Sequence, residues 1–171
     1  MKFPVIYLLH GRGGSPRGTM AEIQKVLELH NPGIVFVRPL LPHHDFKSPA
    51  MKSLEFLKGL RIPKNSLIVG KSLGGLSAAK LQEESCPDLH VICFCSPTVK
   101  ENLKLNKKMP NRVSFFSSND EVIADRVENW PQLAESHDLS WVTHADFDEH
   151  LDKVTKLIRG YINGENLSLI L

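Results

Sequence analysis

This 171-residue sequence has no apolar run approaching the ~20 residues that span a bilayer, and it does not open on a charged segment followed by an apolar one. Insertion into a membrane is therefore not expected, and a cytoplasmic location is. Charge of one sign is also missing: 21 Lys and Arg side chains are interspersed with 19 Asp and Glu, for a net charge of +2. That balance gives no field to hold nucleic acid or an anionic membrane surface. The only basic cluster, Lys104, Lys107 and Lys108, reads as a solvated loop. Cysteine is scarce and odd in number, and Cys86, Cys93 and Cys95 have no second pair or His-x-x-His partner with which to bind a metal. Cys93 and Cys95 stand two apart in Val91-Ile92-Cys93-Phe94-Cys95 and are expected on one face of a strand, as buried thiols. Repeats and low-complexity tracts are absent as well. A chain of 171 residues, 42% of them hydrophobic, suits one domain over 1–171 and leaves no room for a second.

What the chain does contain is a regular alternation. Apolar runs of strand length fall near 3–9, 34–38, 66–70, 89–95, 112–117 and 139–143, and helical patterns near 16–30, 49–60, 73–85, 122–136 and 148–162. Strands apolar on both faces and separated by helices predict an α/β fold, a mostly parallel sheet of about six strands with helices on both faces. The connection from Pro97 to Arg112 is the longest without clear periodicity, yet it is too short for a lid domain.

One junction carries chemistry. Leu67-Ile68-Val69-Gly70-Lys71-Ser72-Leu73-Gly74-Gly75 runs an apolar strand into Gly-x-Ser-x-Gly, and the small residues Ser77, Ala78 and Ala79 follow. This is the sequence of a nucleophile elbow, whose strained turn exposes a serine hydroxyl above the sheet and needs small residues where strand and helix pass closely. Gly70-Lys71-Ser72 also ends a phosphate-binding loop, but that motif needs glycine at position 65, where Asn65 stands. Leu67-Ile68-Val69 moreover occupies what should be the phosphate cradle. Upstream, the strand Val5-Ile6-Tyr7-Leu8-Leu9 ends in His10-Gly11-Arg12-Gly13-Gly14. Elbow and glycine-rich loop together resemble the α/β-hydrolase superfamily, specifically its small lidless esterases and acyl-thioesterases, with matching features from Val5 to about Ile162.

The resemblance implies a single-domain α/β-hydrolase-like sandwich with an open site. It also implies a triad in the chain order Ser, Asp, His, each member on a loop beyond the carboxyl end of a strand. Ser72 is the expected nucleophile. Asp120 follows the strand Val113-Ser114-Phe115-Phe116 and is the expected acid, with Glu121 and Asp125 as fallbacks and a helix cap as its plain alternative. Two histidines follow the last predicted strand. His150, 30 residues beyond Asp120, has a longer loop to bring its ring back over strands about 4.8 Å apart than His144, 24 residues beyond. His150 is thus the expected base and His144 the alternative, favoured if Asp146 and Glu149 form a capping box that starts a helix before His150. An oxyanion hole is expected from the backbone at Leu73, Arg12 and Gly11.

Other residues near this site have plainer readings. The His10 side chain is expected to fix its own loop, and Arg12 either reaches substrate or is solvated. Lys71 departs from the histidine or aromatic residue common in the family, and it either favours an anionic acyl group or is solvated. Pro42-His43-His44-Asp45 reads as a wall of the substrate pocket and not as a metal site, since adjacent histidines lack helical i, i+4 spacing. The expected function is a serine hydrolase acting on a small-molecule carboxylic ester or thioester, without cofactor or metal. The alternative is a catalytically silent hydrolase fold serving as a protein-binding module. Nothing in the sequence speaks to the oligomeric state.

Overall fold

The computed structural model describes residues 2–44, 47–127 and 129–171, apart from the side chain of Asp125. Asp45 and the Asp125 carboxylate therefore lie outside the described residues. Six parallel strands form one sheet: β1 (Val5–Leu9), β2 (Val35–Val37), β3 (Leu67–Lys71), β4 (His90–Phe94), β7 (Arg112–Phe116) and β8 (Glu135–Asp138). Their spatial order is β2-β1-β3-β4-β7-β8. A separate antiparallel hairpin, β5 (Val99–Lys100) with β6 (Leu103–Lys104), fills the connection in which no periodicity is visible.

The four inner strands, β1, β3, β4 and β7, are buried on both faces, and their residues sort by parity into two cores. Tyr7, Leu9, Ile68, Val91 and Cys93 face α2 (Pro49–Gly59), α3 (Leu73–Glu84) and α4 (Trp130–Leu133). Ile6, Leu8, Leu67, Val69, Ile92 and Phe94 face α1 (Thr19–His30) and α5 (Leu151–Ile162). Each helix lays one apolar stripe on the sheet, Met20, Ile23 and Leu27 in α1 and Val154, Leu157 and Ile158 in α5. The α/β architecture predicted from the sequence, helices on both faces of a mostly parallel sheet, is the one found.

Two expectations of detail fail. Cys93 and Cys95 belong to opposite cores, because the chain leaves β4 at Phe94 and Cys95 adopts φ +48°, which breaks the strand's period of two. Both thiols are buried and unpaired, and burial pushes their pKa values up to about 12. The second difference sits at the far edge. Among the described residues, the region predicted as one helix over 122–136 holds only a 3-10 turn, Ala124–Arg126, and the single turn of α4, after which β8 forms four residues earlier than the predicted strand over 139–143. Leu139 and Val142 are fully buried, but in the loop that follows β8.

Strand order changes direction at β1: the chain passes from β1 outward to β2 and returns to β3 on the other side. In open α/β sheets, ligands bind beyond the carboxyl ends of the strands at such a switch point. The loops after β1 and β3 meet there.

Candidate active site

Ser72 joins β3 to α3. Its backbone sits at φ +52° and ψ −121°, and its N–H donates to the carbonyl of Phe94 (2.8 Å), so the residue is held in a conformation that a side-chain-bearing residue rarely adopts. Glycine is needed on both sides for reasons of space. A Cβ on Gly70 would lie 2.5 Å from the Gly75 nitrogen, and one on Gly74 would lie 2.6 Å from the His10 carbonyl oxygen. Strand, helix and the loop after β1 thus pass at backbone contact. Gly11 completes the junction, since a Cβ there would stand 3.2 Å from that of Ser72.

A chain of hydrogen bonds leads away from the hydroxyl. Ser72 Oγ lies 2.8 Å from His144 Nε2, and His144 Nδ1 lies 2.5 Å from Asp120 Oδ2. An ionised carboxylate can only accept, so Nδ1 carries the proton and Nε2 is left as the acceptor for the serine hydroxyl. Asp120 is 2% exposed, and its other oxygen accepts from the N–H groups of Val122 (3.0 Å) and Ile123 (3.3 Å). Burial alone would raise its pKa. The His144 bond and the two N–H groups outweigh that effect and hold the carboxyl below its ordinary value.

His150, the base expected from loop length, does not reach Ser72. Its ring packs edge-on against Trp141 (centroids 5.3 Å apart), and its Nε2 lies 3.6 Å from Asp146. The reason is the position of β8. Because the strand ends at Asp138, His144 lies six residues along a loop instead of at a strand's end, and it has the reach that the sequence argument reserved for His150. The capping box is not formed either. Asp146 heads the 3-10 turn Phe147–His150, but its carboxylate turns back to accept from Thr143 N–H (2.6 Å), while its own N–H donates to Thr143 Oγ1 (3.3 Å). This reciprocal clasp closes the turn that presents His144. Thr143 N–H is also the main reason the Asp146 carboxyl is held below its usual pKa. Glu121 is exposed, and the carboxylate that meets His144 is that of Asp120.

Ser72 opens onto two clefts. One, of about 330 Å³, is bordered by Gly11, Lys71, His144 and Asp148; the other, of about 220 Å³, by Leu73, Lys100 and Arg126. Arg12 borders both. Leu73 is the first residue of α3, where an N–H has no intrahelical partner. Lys71 Nζ lies over the Phe147 ring, 4.6 Å from its centroid, so the cation is placed by an aromatic face at the cleft wall. His10 ties its loop down. Its Nδ1–H donates to the Gly11 carbonyl (2.8 Å), and its Nε2 accepts from Leu41 N–H (3.0 Å).

His43 packs edge-on against His10, with centroids 5.1 Å apart. It is 5% exposed, and neither ring nitrogen makes a hydrogen bond of good geometry. Burial pushes its pKa down to about 4, the nearby Gly11 backbone opposing and His10 and Arg12 adding to the fall. His43 and His44 border a cavity of about 310 Å³ beside the loop after β1, one that Ser72 does not reach. No cluster of three potential metal ligands occurs among the described residues. No helix among them is long and apolar enough to cross a membrane.

Known proteins share this fold. A pyrethroid hydrolase from Sphingobium faniae JZ-2 superposes with a TM-score of 0.65 at 13% identity, over 95% of this chain and 98% of that one. Est1E from Butyrivibrio proteoclasticus gives 0.65 at 17% identity, over 95% and 88%. Alpha/beta hydrolase domain-containing protein 10 from mouse gives 0.65 at 14%, over 95% and 91%. The fold is that of the α/β-hydrolases. No curated protein matches the chain. The chain belongs to the uncharacterised protein family UPF0227, whose model matches residues 4–161.

Proposed function

We propose that this UPF0227 chain is a serine hydrolase that cleaves a carboxylic ester or thioester of a small molecule through an acyl-enzyme on Ser72. The observation that carries the reading is the unbroken chain of hydrogen bonds from Ser72 Oγ through His144 to Asp120. A serine hydroxyl is inert at neutral pH unless a base takes its proton as it attacks. His144 Nε2 is that base. As Oγ bonds to the carbonyl carbon, the hydroxyl proton passes to Nε2, and the imidazolium is held by the Asp120 carboxylate. The carbonyl oxygen becomes an oxyanion beside the N–H groups of Leu73 and Arg12, at the start of α3 where the helix dipole is positive. The tetrahedral intermediate collapses, the bond to the leaving oxygen or sulfur breaks, and Nε2 gives its proton to that atom. Water then attacks the acyl-enzyme and passes a proton to Nε2. Release of the acid returns that proton to Ser72.

With only a hairpin between β4 and β7, no lid domain covers the site among the described residues. Small soluble esters are the substrates this suits, without a rise in rate at a lipid interface. Labelling with a fluorophosphonate, followed by mass mapping, tests the nucleophile. A single adduct is expected on Ser72, and none in Ser72→Ala. Labelling that persists in that variant overturns the assignment. A silent binding module would take no label at all.

A further inference from the structure

The two clefts that meet at Ser72 differ in charge and in their relation to the base. The wider one is bordered by His144, and its Lys71 is accompanied by the carboxylate of Asp148. Among the described residues, the narrower one is bordered by three cations, Arg12, Lys100 and Arg126, and by no acidic residue. Lys100 and Arg126 make no ion pair among the described residues. The remainder of that wall is apolar, with Pro97, Val122 and Ile123. Neither cation is a loose surface group, since both are half-buried. Lys100 ends the first strand of the β5–β6 hairpin. The Arg126 carbonyl accepts from both the N–H and the Oγ1 of Thr98, each at 2.9 Å, which ties the 3-10 turn to the chain just before Lys100.

The position of His144 gives each cleft its role. The leaving atom takes its proton from Nε2, so the leaving group must lie on the side that His144 borders. The acyl chain then lies in the other cleft, running past Leu73 over apolar side chains toward Lys100 and Arg126. We propose that this cleft selects short acyl groups that end in an anion, a carboxylate or a phosphate, with Lys100 and Arg126 as the residues that determine the preference. A pair of cations without an ion-pair partner among the described residues, in a cleft that Leu73, Pro97, Val122 and Ile123 also line, favours such a terminus by charge-assisted hydrogen bonds, Arg126 with a planar fork that suits either oxyanion. A neutral acyl chain of the same length leaves both cations without a partner. This inference rests on the hydrolase reading of Ser72.

The test compares three esters with the same 4-nitrophenyl leaving group: the hemiglutarate, its neutral monomethyl counterpart, and the 4-phosphonobutyrate. At low salt, kcat/KM for the hemiglutarate is expected to exceed that of the neutral ester by about tenfold or more, the worth of one charge-assisted hydrogen bond. Added salt should shrink the ratio. Lys100→Gln should lower it, and Arg126→Glu should bring it below one; Lys100→Glu serves where Arg126→Glu does not fold. Preference for the phosphonate over the hemiglutarate would identify a phosphate terminus, and the reverse a carboxylate. A ratio near one in the unaltered protein, or one indifferent to these substitutions, overturns the inference and leaves the hydrolase reading intact. Should no ester be turned over, titration of the Ser72→Ala protein with glutarate decides. Binding that Arg126→Glu removes upholds the anion site while the hydrolase reading fails, and no binding overturns both.

Discussion

The two bonds of His144 fix its tautomer and, under the proposed reaction, its task. Nδ1 is committed to Asp120, so Nε2 has a lone pair aimed at Ser72 Oγ. Removing the ring should leave only what the oxyanion hole and binding supply, a residual acceleration of about 10³–10⁴ over water. His144→Ala and Asp120→Asn are therefore expected to lower turnover by orders of magnitude, and adding either to Ser72→Ala should cost little more, because triad members act as a unit. His150→Ala should leave turnover nearly normal, since its ring contacts Trp141 and Asp146 instead. Kinetics on one ester across these single and double variants check this, and collapse in His150→Ala would restore it as the base. His43 gives a separate prediction in pH. Its pKa is about 4 in the folded protein, against about 6.5 when unfolded, so between these values the unfolded chain binds the extra proton. Its contribution is complete above about pH 6.5 and is lost as pH falls toward 4, by up to about 3 kcal/mol. Melting curves across that window should be flatter for His43→Leu than for the unaltered protein, whatever the variant's absolute stability.

At the scale of elements, the elbow depends on spacing that tolerates no added atom. A Cβ on Gly74 would meet the His10 and Leu9 carbonyl oxygens at 2.6 and 2.8 Å, and neither is the end of a flexible side chain. Gly74→Ala must push α3 from β1, moving the Leu73 N–H away from the place of the proposed oxyanion. Overpacking of this kind costs about 1–3 kcal/mol, so the variant should fold in urea titrations yet lose turnover out of proportion to its stability. The elbow was legible in the sequence because its glycines and apolar strand sit in one contiguous run. So were β1, β4 and β7, with Val5–Leu9, His90–Phe94 and Arg112–Phe116 buried almost throughout. The edge strand β8 was not. Glu135-Ser136-His137-Asp138 has one neighbour, β7, and its residues are exposed or half-buried, so no apolar alternation marks it. Leu139, Trp141 and Val142 supplied the apolar signal instead, and they serve the core from a loop. That displacement of four residues is what misdirected the choice between His144 and His150, while Ser72 and Asp120 follow strands that the pattern marks well.

Across the whole molecule, the site and the main polar staple occupy opposite ends of the sheet. Ser72, Asp120 and His144 follow the carboxyl ends of β3, β7 and β8, whereas Arg112 opens β7 at its amino end. Arg112 is fully buried. It donates to the carbonyls of Ala79 (2.9 Å), Lys107 (3.0 Å) and Leu133 (3.2 Å) and to Gln82 Oε1 (3.0 Å), and it lies 3.5 Å from Glu83. One guanidinium thus joins α3, the segment before β7 and α4, the three pieces that close this end over the sheet. Glu83 continues the network by accepting from the N–H groups of Asn106 and Lys107, each at 2.9 Å. Arg112→Ala leaves Gln82 Oε1 and three carbonyls without their buried donor, at about 1–3 kcal/mol for each group left unsatisfied, while Glu83 keeps Lys80 Nζ at 3.3 Å. Urea titration should show that loss. The Arg112→Met, Glu83→Gln double variant should lose less than the sum of its single changes, because both side chains belong to one network in which Glu83 also pairs with Lys80 at 3.3 Å. Since the staple lies at the end of the sheet away from Ser72, the fraction that stays folded should turn over ester at the unaltered rate. A fall in turnover per folded molecule in Arg112→Ala would show instead that the amino end of β7 sets the position of Asp120.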